Sequence, residues 1–169
     1  MRRSIGNREV NAIGLGCMNV CHAYGAAIPE GDAQSLFERA IDAGYDHFDT
    51  ARIYGAGQSE SIVGRAIKAR RKDIFLASKM GIFAEKGKRW IDCRPETIRA
   101  EVEKSLSALA TDHIDLYYLH RPDFSTPIED SAGALADLIR EGKIGAYGLS
   151  EMNAETLRRA HAVAPVAAV

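Results

Sequence analysis

The stretch IDLYYLH, residues 114–120, reads as a β-strand that ends on a titratable side chain. Side chains alternate faces along a strand, so His120, Tyr118 and Leu116 share one face while Tyr117 and Leu119 share the other. Reading outward, the same design recurs. DIFLASK (73–79) puts Lys79, Ala77 and Phe75 on one face and Ile74 and Leu76 on the other. IGAYGLS (144–150) ends on Ser150, with Gly148 and Ala146 behind it, and YDHFDTA (45–51) carries Asp49 with Phe48 opposite. AIGLGCM (12–18) reads as a further strand, and the terminal VAAV (166–169) as the start of a sixth.

Between these strands the apolar period switches to that of a helix. Residues 32–43 place Leu36, Phe37, Ala40 and Ile41 on one face, with Gly44 as a C-cap. Residues 58–69 do so through Ile62, Val63, Ala66 and Ile67, and Pro95 opens a helix carrying Ile98, Val102, Leu106 and Leu109. TPIE (126–129) predicts a capping box for a helix that stops at Gly142, and Asn153 predicts the cap of a fifth helix. SIGNREV predicts a small hairpin turning at Gly6-Asn7, and 80–94 a long polar loop with Trp90 that overhangs the strand ends. The order is β(αβ) repeated five times, which gives parallel strands with right-handed crossovers. Two architectures fit it, an open doubly wound sheet and a β/α barrel.

The strand ends favour the barrel. Asp49, Lys79, His120 and Ser150 close four consecutive strands, and in a barrel such ends converge on one rim, under the loops that build the active site. Neighbouring strands lie ~4.8 Å apart, so Asp49 and Lys79 are within pairing reach. Tyr54 stands five residues beyond Asp49, in IYGAG. A free phenol has a pKa of ~10, and an ammonium beside it is expected to lower that value. A phenol so tuned can donate a proton to a carbonyl oxygen, with Asp49 holding Lys79 charged and His120 directing the carbonyl. Such chemistry needs a hydride donor, and nicotinamide supplies one. GLGCMN (14–19) and GAGQSE (55–60) each carry G-x-G without the third glycine of a dinucleotide fingerprint, so they carry little weight.

Composition limits the alternatives. The 169 residues are 46% hydrophobic and 27% charged, with a net charge of −1 from 22 basic and 23 acidic side chains. This predicts one domain with a real core and argues against nucleic acid or an anionic membrane as partner. No apolar run approaches the ~20 residues of a membrane span, and MRRSIGNREV lacks the apolar core of a signal peptide, so the expected location is cytoplasmic. Cys17, Cys21 and Cys93 are too few and too scattered for a disulfide framework. Cys17 and Cys21, beside His22, lack a second ligand pair at zinc spacing, and no metal is expected. His22, His47, His113 and His161 read as non-catalytic, with His47 directed into the barrel.

The runs GLGCMNVCHAYG, FDTARIYGAGQSESIVGRAI, LASKMG, DLYYLHRPD, PIEDSAGALADLIREGKIGAYGLSE and AETLRRAHAV together resemble an aldo-keto reductase, in order and over essentially the whole chain. The resemblance implies an α/β fold of the (β/α)8 TIM-barrel type with a hairpin closing its bottom. It implies NADP(H)-dependent reduction of small aldehydes and ketones. The family's catalytic Asp, Tyr, Lys and His fall on Asp49, Tyr54, Lys79 and His120. Its cofactor contacts fall on Gly16, Cys17, Met18, Asp49 and Ser150, and on Glu151, where many members carry Asn. The family's members are roughly twice as long, and the phosphate site of β/α barrels commonly lies after strands seven and eight. The expectation is therefore a single incomplete domain, 1–169, of about five βα units and part of a sixth strand. Little activity is expected from it alone. Two other readings compete: an inactive barrel fragment that self-associates through open sheet edges, and a reductase-like regulatory subunit.

Overall fold

The computed structural model describes residues 1–21 and 26–169; His22 lies outside the described residues. A hairpin comes first: β1 (Arg2–Ile5) and β2 (Arg8–Asn11) pair antiparallel about the Gly6-Asn7 turn. β3 (Leu15–Gly16) is shorter than the sequence suggests, as is β4 (His47–Asp49). They are followed by β5 (Phe75–Met80), β6 (Ile82–Glu85), β7 (Lys88–Ile91), β8 (Ile114–Leu119) and β9 (Ile144–Leu149). The helices are α1 (Glu30–Asp42), α2 (Gln58–Ile67), α3 (Pro95–Leu109), α4 (Ile128–Arg140) and α5 (Ala154–Val163).

The sheet decides between the two architectures. Its order is β3-β4-β5-β8-β9, all parallel and all in chain order. A doubly wound sheet reverses its strand order at a switch point; this one does not. Successive helices pack against each other, α1 on α2 through to α4 on α5, in the same sequence as the strands. Phe48, Ile74, Leu76, Tyr117, Leu119, Tyr147 and Leu149 bury the outer face against that helical layer. The inner face holds a second core of Phe75, Ala77 and Leu116 with Val10 of the hairpin, flanked by Ile5, Tyr118 and Ala146. The hairpin therefore plugs the N-terminal end of a partial β/α barrel, as the sequence predicts. The close approach of α2 and α3 depends on Gly64, where a Cβ would overlap the Leu109 carbonyl.

Three expectations need correction. The segment 80–94 is not a plain loop, because 82–91 form the antiparallel pair β6–β7, whose turn places Lys86 at φ 47° and Gly87 at φ 78°. Thr126 does not cap α4; its hydroxyl donates to Asp123 (2.8 Å), the cap position falls to Pro127 with no side-chain bond, and Glu129 pairs with Arg159. The four-residue sixth strand is reduced to a parallel bridge of Ala168 with Gly148, made by Leu149 N–H to Ala168 O (3.1 Å) and Ala167 N–H to Tyr147 O (3.0 Å). Asn153 does cap α5, accepting from Thr156 N–H at 2.8 Å. Among the described residues no helix is long and apolar enough to cross a membrane.

Candidate active site

Strand alternation and the β5–β4 register bring Lys79 and Asp49 together. Lys79 Nζ donates to Asp49 Oδ1 and, at 3.0 Å, to the Thr50 carbonyl. Asp49 ends β4, Lys79 is the penultimate residue of β5, and His120 and Ser150 directly follow β8 and β9. Backbone bonds hold these last two in register: His120 N–H to Met80 O (2.8 Å) and Ser150 N–H to Leu119 O (3.0 Å).

Tyr54 closes the group. Its ring stands edge-on to His120, centroids 5.9 Å apart at 82°, and Lys79 Nζ lies 5.8 Å from its centre. Tyr118, which the sequence places on the face of His120 without a role, contributes a second ring 5.6 Å from the same ammonium. Its place two residues before His120 on the inward face was the available signal. The turn that carries Tyr54 is contorted: Gly55, Ala56 and Gly57 take φ of 60°, 53° and 94°. Ala56 pays the cost of a left-handed conformation, of order 1–2 kcal/mol, and such strain concentrates at functional sites. Gly57 is favoured here because its φ of 94° is strained for any other residue, and a Cβ would push the Arg52 guanidinium off Glu60.

That guanidinium was also missed by sequence reasoning. Arg52 Nη1 bonds Glu60 Oε2 at 2.9 Å, and its Nε lies 3.5 Å from Glu101. Glu60, fully buried, also accepts from Ser78 Oγ at 2.7 Å, and Arg52 N–H donates to Lys79 O at 2.8 Å. The Tyr54 turn is thus tied to both α2 and β5. On its other side, Ser59 Oγ donates to Cys17 O (2.8 Å) and shares a bond with Thr50 (2.8 Å).

The electrostatics depart from expectation at Tyr54. Its phenol is pushed above its usual range, by burial first and by the Asp49 carboxylate second; Arg121, not Lys79, is the cation that opposes them. His120 is lowered to about 4 by burial and then by Lys79 and Arg121, so the ring is neutral at pH 7. His120 Nδ1 is buried without a hydrogen-bond partner among the described residues.

The remaining residues line the same rim. Gly16 pairs with Asp49 at the end of β3, and a Cβ there would meet nothing within 4 Å. Cys17 N–H bonds Asp49 O (2.8 Å), Cys17 is fully buried, and Met18 begins a short 3₁₀ turn. Burial holds the Cys17 thiol far above its ordinary range. Arg121 spans the far side: it donates to His120 O (2.6 Å), lies 3.5 Å from Ser150 Oγ and pairs with Glu151 at 3.0 Å. Glu151 sits at φ 57°. His47 faces the barrel interior, edge-on to Phe75, whereas His113 and His161 make local bonds with Gly142 O and Val166 N–H. The open floor at Gly16 and the hydroxyl of Ser150 opposite fit the nicotinamide end of a dinucleotide, next to the Lys79–Asp49 pair.

Comparison with known proteins bears on the fold and the family. The chain is 43% identical to "Probable aldo-keto reductase 1" of Glycine max over 164 residues, covering 95% of this chain and 47% of that protein. It is 44% identical to "Aldo-keto reductase yakc [NADP(+)]" of Schizosaccharomyces pombe, covering 99% and 50%. Among solved structures it superposes on aldo-keto reductase AKR11C1 from Bacillus halodurans with a TM-score of 0.87 at 33% identity, covering 98% of this chain and 55% of that one. A structure from Klebsiella pneumoniae in complex with NADP and acetate matches with a TM-score of 0.70 at 30% identity, covering 92% and 50%. The chain spans about half the length of the curated relatives it matches. With residues 12–169 matching the model of the aldo/keto reductase family, this partial barrel belongs to that family.

Proposed function

We propose that the rim residues form the catalytic half of an NADP(H)-dependent reductase of aldehydes and ketones. The observation that carries this reading is the Lys79–Asp49 ion pair set beside Tyr54 and His120 at the C-terminal mouth of the sheet. When bound, the nicotinamide supplies a hydride to the carbonyl carbon. Tyr54 gives its hydroxyl proton to the carbonyl oxygen as negative charge grows there. The Lys79 ammonium stabilises the phenolate left behind, and Asp49 with the Thr50 carbonyl fixes that ammonium. His120, neutral, offers a ring N–H to the same oxygen and adds no competing positive charge. Gly16, Cys17 and Met18, with Ser150 and Glu151, would hold the nicotinamide end of the cofactor.

The test joins residues 1–169 to the C-terminal half of a full-length relative and supplies NADPH and an aromatic aldehyde. Loss of nicotinamide absorbance is expected. A folded assembly that binds NADPH and shows no turnover overturns the reading. The 169-residue chain by itself is expected to turn over little or not at all.

Association is a second reading, supported by the edges of the sheet. Among the described residues β3 pairs with β4 alone, and Ile13 beside it is 68% exposed. Unpaired strand edges template further pairing. Light scattering behind a sizing column is expected to give dimers or larger species for the isolated chain; a clean monomer at high concentration removes this reading.

A further inference from the structure

The β6–β7 hairpin stands against the loop after β8 and leaves a groove of about 480 Å³ between them. That volume lies within the range of small-molecule sites. Ile82, Ile91, Pro122 and Phe124 supply an apolar lining, and Trp90 also borders it. Phe124 is 90% exposed and Trp90 45% exposed, so both rings present apolar surface to solvent. Trp90 is anchored by stacking on Phe83, centroids 5.5 Å apart and 13° from parallel.

Three charged residues line the groove: Arg89, Arg121 and Asp123. Asp123 is already committed. It accepts from Cys93 N–H (2.9 Å), Ser125 N–H (2.9 Å), Ser125 Oγ (2.6 Å) and Thr126 Oγ1 (2.8 Å). Arg121 is matched by Glu151 at 3.0 Å. Arg89 is the cation left over, with no carboxylate partner among the described residues. Ladder register puts it on the same hairpin face as Ile82 and Ile91, whereas Lys88 stands opposite Glu85 on the other. The groove lies beside the catalytic mouth, since Arg121, which lines it, directly follows His120 and donates to its backbone carbonyl.

We propose that this groove holds the distal end of an apolar, aromatic carbonyl compound bearing a carboxylate, and that Arg89 engages that carboxylate. The substrate class deepens, and rests on, the reductase reading. Guanidinium and carboxylate match as planar bidentate partners, and the apolar walls accept the ring between the carboxylate and the reacting carbonyl.

Trp90 is the only tryptophan in the chain and borders the groove from the Phe83 face of the hairpin, so its emission reports on ligand there. The 169-residue chain is titrated with 4-carboxybenzaldehyde while Trp90 emission is followed, with uncharged benzaldehyde in a parallel series. Saturable quenching by the carboxylated compound is expected, with a midpoint at least tenfold below that of benzaldehyde. Arg89→Gln should raise the midpoint roughly tenfold, the scale of one charge-assisted contact. Lys88→Gln, on the opposite face, should leave it unchanged. Equal midpoints for the two aldehydes, an unaffected Arg89→Gln, or an equal shift in Lys88→Gln would each overturn the proposal. The titration needs neither cofactor nor turnover. Failure of turnover and failure of this titration are therefore separate results.

Discussion

Tyr54→Phe is expected to lower kcat for aldehyde reduction by about 10²–10⁴-fold, the range typical of a lost general acid, in a barrel completed by a relative's C-terminal half. Phenylalanine keeps the ring that meets His120 edge-on and removes only the proton donor. KM for NADPH should stay within a factor of about two, because no interaction on the far side of the mouth changes. Lost NADPH binding, or an undiminished kcat, would contradict the assignment. The pH profile supplies a second check. Tyr54 is pushed upward by burial and Asp49, so the phenol stays protonated past neutrality, and the reduction rate should fall only above the ordinary phenol value of ~10. His120 is lowered to about 4, so protonation of its ring should affect the rate only near and below that pH. The same shift has a stability consequence. Between about 4 and the ordinary histidine value of ~6.5 the unfolded chain binds the proton that the folded chain refuses, so stability should rise with pH across that window.

What the sequence could disclose was set by alternation. Each strand carries its chemistry at a fixed parity, so the positions of Asp49, Lys79, His120 and Ser150 on one rim follow from the period of two alone, and strand order follows from right-handed crossovers. Tyr118 obeyed the same parity as His120 and could have been read with it. The β6–β7 hairpin was hidden because its strands are four residues long and its turn is Lys86-Gly87, without the Asn-Gly signal that marks such turns. The capping box at Thr126 had the right spelling but faced a stronger competitor: the Asp123 carboxylate, three residues upstream, captures that hydroxyl. The direction of the Tyr54 shift could not be read at all, since it depends on how deeply the ring is buried and on how close the Asp49 carboxylate comes. Both are facts of packing, not of spacing.

Glu60→Ala should produce the largest loss of stability of any single change near the site. Glu60 is 0% exposed and carries two partners, Arg52 Nη1 (2.9 Å) and Ser78 Oγ (2.7 Å). Removing it leaves the Arg52 cation and the Ser78 hydroxyl facing a void, and breaking a buried ion pair from one side typically costs 3–5 kcal/mol. Arg52 keeps some access to water, with 24% of its side chain exposed, and keeps Glu101 at 3.5 Å. These two facts put the expected loss at the lower end, about 3 kcal/mol. Against a total of 5–15 kcal/mol for a domain, that is a large share. At an m-value of about 2 kcal/mol/M the urea midpoint should fall by roughly 1.5 M. Glu60→Gln keeps the shape, its carbonyl oxygen can still accept from Arg52 and its amide can donate to Ser78 Oγ, so it should lose less than half as much. If the two variants unfold at the same midpoint, the charge and not the bonding pattern is what matters there. A shift below about 0.5 M for Glu60→Ala would mean that Arg52 finds water or Glu101 at almost no cost. Because Arg52 underlies the strained Gly55–Gly57 turn and bonds the Lys79 carbonyl, Glu60→Ala should also release the Tyr54 turn from β5. In the completed barrel the rate should therefore fall with the stability, whereas Tyr54→Phe should lower the rate and leave the urea midpoint where it was.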